Sequence, residues 1–293
     1  MAPVSDNLRG AFFMMASMAA FTFNDACMKA LSDEIPLAQA VFMRGVATAV
    51  LMVLLARRFG RLRFDIARRD WALIALRTLA EIAAAYFFIT ALFNMPIANA
   101  TAILQALPLT VTLAGAVFLG EAIGWRRLVA ILIGFAGVLL IVQPGAEGFS
   151  IYSVYAVLAV LTVTVRDLAA RRLSVHVPSM TVALLASLGV TLSFGVVSVL
   201  DEWAMPSRLA WAQLAGASVF IIGGYLFSVM TMRLGDIAAV TPFRYTSLLW
   251  ALLLGLVVFG EWPDALTMTG AAIVVATGIW TLMRERRLAR AQA

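Results

Sequence analysis

Ionisable side chains stand inside long apolar stretches of this chain: Asp25, Arg44, Arg77, Glu81, Arg166, Asp167 and Arg244. In hydrocarbon each such charge costs about 2.5–3.5 kcal/mol at a helix centre. A charge kept there must face a wet cavity, a partner or a ligand. Arg77 and Glu81 are spaced i, i+4, so they share a helical face and can pair. Asp25 stands one turn before Lys29, and Asp167 one turn before Arg171, so the same local pairing is expected of each. Lys29 can also snorkel toward a membrane interface. Arg44 and Arg244 have no acidic residue within one turn. Each needs an anion from another helix or from a bound solute, and a planar guanidinium suits a carboxylate, a phosphate or a ring carbonyl. Asp25, Glu81 and Asp167 are the carboxylates that could carry a coupled proton.

Aromatic residues surround these charges. Phe243, Tyr245 and Trp250 flank Arg244, Tyr86 and Phe87 follow Glu81, and Tyr225 follows Gly223-Gly224. Small-molecule sites are usually apolar, aromatic cavities with a few polar anchors. The candidate solute-binding set is therefore Arg44, Arg77, Glu81, Tyr86, Gln105, Arg244, Tyr245 and Trp250. Nothing points to bond-making chemistry. The chain has one histidine, His176, beside a loop proline, and no HExxH motif or convincing serine dyad. Its one cysteine, Cys27, excludes an intramolecular disulfide and a Cys-rich metal site. No catalytic residue, metal or cofactor is expected. A Gly-x-x-x-x-Gly-Lys-Ser/Thr motif is absent, so ATP-driven action would need another subunit.

The elements that position these residues follow from composition. Of 293 residues, 63% are hydrophobic and only 13% are charged, with a mean hydropathy of +0.96. A soluble domain carries about 25% charged residues. The apolar residues fall in blocks of about 20, the length of a helix that crosses about 30 Å of hydrocarbon. Such blocks cover Leu8 to Leu31, Pro36 to Ala56, Trp71 to Phe93, Pro96 to Leu119 and Trp125 to Val142. Five more cover Ile151 to Leu173, Pro178 to Leu200, Leu209 to Leu234, Ile237 to Gly260 and Ala265 to Met283. The predicted fold is an all-α integral membrane protein of ten transmembrane helices, because lipid leaves backbone groups no other partner. A β-barrel would instead alternate apolar and polar residues in segments of about ten. The short polar N-terminus and the Asn24-Asp25 pair make the first block a span rather than a cleaved leader.

The net charge of +6 comes from arginines in short loops, so a nucleic-acid partner is not expected. Arg57, Arg58, Arg61, Arg63, Arg68, Arg69, Arg126, Arg127, Arg171, Arg172 and Arg233 would lie on one side with the tail arginines. Asp33, Glu34, Glu147, Asp201, Glu202, Glu261 and Asp264 would lie on the other, with only Arg208 as a clear positive. The positive-inside rule then puts the N and C termini in the cytoplasm. Trp71, Trp125, Trp203 and Trp211 are expected at the interfaces. Pro108 and Pro242 interrupt the fourth and ninth blocks. Gly115, Gly120, Gly134 and Gly137 read as points of close helix packing.

The chain repeats itself at an offset of 140 to 142 residues. Ile97-Ala98, Thr101 and Gly120-Glu121 recur as Ile237-Ala238, Thr241 and Gly260-Glu261. Asp25, Lys29, Leu31, Ser32 and Pro36 recur as Asp167, Arg171, Leu173, Ser174 and Pro178. Each half, 1–146 and 147–293, holds five spans, so the second is inverted relative to the first. Inverted repeats are the design of many secondary transporters, with the solute near the midplane between the halves. The expected partners are a small-molecule solute and the lipid bilayer; a homodimer stays open. A multi-helix scaffold or lipid-handling protein is the alternative.

Two five-span repeats, each ending in Gly-Glu (Phe259-Gly260-Glu261 in the second), resemble the EamA-type drug/metabolite transporter superfamily over nearly the whole chain. Asn24-Asp25, Lys29, Phe42-Met43-Arg44, Arg77, Ala100-Thr101-Ala102 and Thr241-Pro242-Phe243-Arg244-Tyr245 are similar to its S-adenosylmethionine-uptake and riboflavin transporter subgroup. The resemblance implies a bacterial inner-membrane carrier working by alternating access. It also implies a central cavity lined by the third, fourth, eighth and ninth spans. It names no solute and no direction.

Overall fold

The computed structural model describes residues 4–59, 64–121, 124–144, 149–174, 176–234 and 240–292. Among them the protein is all-helical, without a strand. The first three helices are Val4–Lys29, Leu37–Phe59 and Arg68–Asn94. The fourth comes in two pieces, Ile97–Leu104 and Leu107–Leu119. The fifth to eighth are Trp125–Val142, Ile151–Arg171, Ser179–Leu200 and Arg208–Leu234. In the described part of the ninth, helical Val240 leads into a 3₁₀ turn, Thr241–Tyr245, which continues as Thr246–Phe259; the tenth is Ala265–Gln292. Nine of these segments are long and apolar enough to cross a membrane, and Leu37–Val50 is a shorter apolar helix. Large apolar side chains such as Val117, Phe118, Leu192, Val196 and Leu249 are exposed around the outside, as lipid contact demands.

Helix breaks appear where the prolines foretell them. Proline cannot donate to the preceding turn and clashes with it. Pro108 sits in the first turn of the second piece of the fourth helix, and Pro242 in the first turn of the 3₁₀ segment.

The helices pair in a pattern with approximate two-fold symmetry. The first packs along the eighth, and their repeat mates, the sixth and third, pack along each other. The second packs on the seventh, the fifth on the tenth, and the first piece of the fourth on the ninth, each helix against its own counterpart. Glycines allow the closest approach. A Cβ on Gly270 would lie 2.5 Å from the backbone oxygen of Gly137, and one on Gly137 would lie 2.9 Å from that of Gly270. Gly134 is likewise pressed by Leu109 and Thr277.

Gly115 and Gly120 do something else. Gly120 has φ 71° and no neighbour within 4 Å of where its Cβ would be. It caps the fourth helix in the left-handed conformation that glycine adopts without a Cβ clash. Gly115 makes room for the Glu121 side chain folding back over it. Gly260, with φ 64°, caps the ninth helix in the same way, but the Glu261 side chain does not fold back: a Cβ on Gly255 would lie 3.4 Å from the Glu261 backbone oxygen.

Candidate functional site

Among the helices lies a chamber of about 340 Å³. The first and sixth helices line it with Asn24, Asp25 and Arg166; the second and third add Arg44 and Glu81. Gln105 comes from the break in the fourth helix, Tyr225 from the eighth, and Arg244, Tyr245 and Ser247 from the start of the ninth. The lining thus extends beyond the third, fourth, eighth and ninth spans. The first and sixth helices reach it because they pack along the eighth and third, the walls of the chamber.

The charges form two networks. On one side Arg44 Nη1 donates to Asn24 Oδ1 at 3.2 Å, and Asn24 Nδ2 donates to Asp25 Oδ1 at 2.9 Å. On the other, Arg166 Nη1 reaches Glu81 Oε1 at 3.1 Å, and Arg166 Nη2 lies 2.8 Å from Asp167 Oδ1. Arg77 completes the expected i, i+4 pair with Glu81 at 3.7 Å. Its own Nη1 is buried without a hydrogen-bond partner. Arg77 lines a separate pocket of about 130 Å³ between the second, third, seventh and eighth helices, which Arg44, Glu81 and Tyr225 also border.

The local pairs expected of Asp25 with Lys29 and of Asp167 with Arg171 do not form. Lys29 pairs with Glu261 and Arg171 with Glu121, each across to another helix. A carboxylate one turn away offers proximity alone, whereas the facing helices supply acceptors at better geometry. Lys29 does not snorkel either: it is 7% exposed and bonded into the protein.

Arg244 is exposed to the chamber and, among the described residues, has no ion pair. Gln105 Nε2 donates to Ser247 Oγ at 2.5 Å, and Ser247 Oγ donates to Arg244 O at 3.0 Å. The two helix breaks therefore meet in one polar layer. Tyr245 lines the chamber with its ring, while its buried hydroxyl has no hydrogen-bond partner.

Two expected ring contacts lie elsewhere. Tyr86 is 46% exposed, clusters with Phe87 and Tyr155, and borders a groove between the third and seventh helices. Trp250 packs on Phe23, with ring centroids 6.1 Å apart. Sequence reasoning leaves Arg166, Asn24, Tyr225 and Ser247 out of the candidate set, although Arg166 already stood out as an intramembrane charge.

A vestibule of about 570 Å³ adjoins the chamber, with Leu107, Pro108, Thr241, Arg244 and Leu282 lining both. It runs to the end of the molecule that carries Arg127 and Arg171. Among the described residues no group of acidic, histidine or cysteine side chains could hold a metal ion.

The chain is 26% identical to a riboflavin transporter of Vibrio cholerae, over 97% of this chain and 96% of that protein. It is 25% identical to an S-adenosylmethionine uptake transporter of Rickettsia conorii, over 96% and 94%. A pseudopaline exporter of Pseudomonas aeruginosa is 29% identical, over 91% and 94%. A solved crystal structure at 20% identity aligns over 97% of this chain and 98% of its own, with a TM-score of 0.63, which speaks for the fold. The family model described as "EamA-like transporter family" matches residues 8–143 and again 150–283. A chain of apolar helices around a charged chamber, matched twice by that family, is a multi-pass membrane transporter and no enzyme: it belongs to the EamA-like transporter family.

Proposed function

We propose that the protein is a secondary carrier for a small organic metabolite with a ring and a charged or strongly polar group. In this reading ten spans form two inverted halves, 1–146 and 147–293, in a bacterial inner membrane. The arginine-rich end and both termini face the cytoplasm, and the halves alternate the chamber between the two faces. The halves meet at 146/147, outside the described residues. The double family match and the two-fold pattern of helix pairing support this arrangement.

The observation that carries the reading is Arg244: a guanidinium in a wet chamber with no acid to neutralise it among the described residues. A lone cation of this kind is an anchor for an anionic or carbonyl group of the solute. Arg44, Glu81 and Gln105 would orient the polar end, with Tyr245 and Tyr225 along the ring. Arg77, Tyr86 and Trp250 would act from outside the chamber wall. Of the candidate proton carriers, Asp25 has no direct ion pair among the described residues, whereas Glu81 and Asp167 share Arg166.

A thermal-shift panel of S-adenosylmethionine, riboflavin, aromatic amino acids and nucleosides on detergent-purified protein would find the solute class. Uptake of the hit into proteoliposomes should fall about tenfold or more in Arg244→Ala, the loss of one charge-assisted contact. Wild-type uptake by folded Arg244→Ala and Arg44→Ala would remove both arginines from the mechanism. Stabilisation by no solute, with no uptake, would sink the carrier reading. An imposed pH gradient that leaves the rate unchanged would exclude coupled protons.

A further inference from the structure

We propose that two repeat-related ion pairs, Lys29–Glu261 and Arg171–Glu121, are clasps that close the chamber alternately at its two ends. The described conformation has the first fastened and the second standing in an open mouth. The inference rests on the carrier reading above and adds the device that gates it.

The four residues are two copies of one arrangement. Lys29 ends the first helix and Arg171 ends the sixth; Glu121 and Glu261 each follow a left-handed glycine cap. The N–H of Glu121 returns to Gly115 O at 3.3 Å, and that of Glu261 returns to Gly255 O at 2.8 Å. The same backbone turn therefore follows both caps and places a glutamate at the end of each helix. Each pair also ties one half to the other, the first helix to the end of the ninth and the sixth to the end of the fourth.

The two copies are in different states. Lys29 Nζ is 3.1 Å from Glu261 Oε1 and donates to Leu92 O at 3.3 Å and Met95 O at 2.7 Å. All three ammonium hydrogens are thus used, two of them on carbonyls at the end of the third helix, where the helix dipole favours a cation. Glu261 Oε2 accepts the N–H of Ile97 at 3.2 Å. Fully buried Met28, Leu31, Leu92 and Ile97 pack around this end, and on this side the chamber reaches only to Phe88 and Ile89. By contrast, Arg171 and Glu121 are 3.3 Å apart with side chains 48% and 44% exposed, and both line the vestibule. The Lys29 and Glu261 side chains are 9% and 26% exposed; an ion pair in water contributes little, while one whose cation is buried and fully bonded is costly to break. The first clasp therefore holds its end shut, while the second, formed but solvated, holds its end only weakly. Exchange of conformation between the inverted halves would reverse these roles.

The test uses a Cys27→Ser background, which removes the one cysteine, with a reporter cysteine at Leu104 on the chamber wall. A membrane-impermeant maleimide is applied from each face of sealed vesicles. The background protein should label from the arginine-rich face. Adding Glu261→Gln should raise labelling from the opposite face about tenfold or more, while Glu121→Gln should not. The exchange Lys29→Glu with Glu261→Lys should restore the one-sided pattern. Unchanged labelling in Glu261→Gln would overturn the clasps and leave the chamber standing. Collapse of the fold in both Glu261→Gln and the exchange variant would also overturn them, because the pair would then be purely structural. A reporter that labels from neither face of the background protein would remove the carrier reading itself.

Discussion

The contact between Arg166 and Glu81 crosses from the sixth helix to the third, so it fastens one half of the molecule to the other. At 3.1 Å its bare Coulomb energy is about 5 kcal/mol for an effective dielectric of 20. The net coupling is smaller. The two side chains are 27% and 23% exposed, and both face the chamber, so water screens the pair. A hydrogen bond to a charged group contributes about 1.5–3 kcal/mol, and an exposed ion pair about 0.2–1 kcal/mol. This site lies between those cases, which gives an expected coupling of about 1–2 kcal/mol. Arg166→Met alone should cost more, about 2–4 kcal/mol, because it also strands Asp167, 2.8 Å from the same guanidinium. Arg77, 3.7 Å from Glu81, is positioned to take over part of the interaction. The coupling should therefore grow when the cycle is repeated in Arg77→Met. The assay is a double-mutant cycle of Arg166→Met and Glu81→Met, read by reversible unfolding in mixed micelles. A coupling below about 0.3 kcal/mol, the ordinary error of additivity, would refute the claim that this pair joins the halves.

Three further outcomes are expected. Gly270→Ala should lower stability by about 1–3 kcal/mol by driving a methyl group to 2.5 Å from the Gly137 backbone oxygen. Gly260→Ala, with nothing within 4 Å, should cost about 1–2 kcal/mol through its left-handed backbone alone; detergent-phase melting that spares either variant would contradict the corresponding cause. Asp264, just before the tenth helix, accepts the N–H of Thr267 at 2.6 Å and the Gln143 amide at 2.9 Å. These bonds, the Thr267 backbone bond foremost, hold its carboxyl below the usual carboxylate range. A carboxylate with a depressed value in the folded state stabilises above its unfolded value, about 3.9, and loses that contribution as pH falls through the folded one. The stability gap between wild type and Asp264→Asn should therefore be full at pH 6 and close as the pH falls below about 3.9. A gap that does not change with pH would show that the carboxylate charge plays no part.

The helices were legible because hydrocarbon thickness imposes a length on every apolar block. The fifth helix, Trp125–Val142, spans the residues the sequence assigns it. The breaks in the fourth and ninth helices were legible from Pro108 and Pro242, since proline acts on its own turn. Side-chain direction was not. A helix that is apolar all round carries no phase, so nothing in the sequence could show that Trp250 turns to Phe23 and Tyr86 outward while Tyr225 faces the chamber. Ion-pair partners were misread for a related reason. Spacing of i, i+4 is visible in a sequence and a facing helix is not, so Asp25 and Asp167 were matched to neighbours that belong to Glu261 and Glu121. The repeat held the information that local spacing lacked. Lys29 corresponds to Arg171, and Glu121 to Glu261. In a two-fold arrangement a bond from the first helix to the ninth requires its counterpart from the sixth to the fourth. Reading each charge together with its mate 140 to 142 residues away asks which helix pairs with which, and that question has far fewer answers than which residue pairs with which.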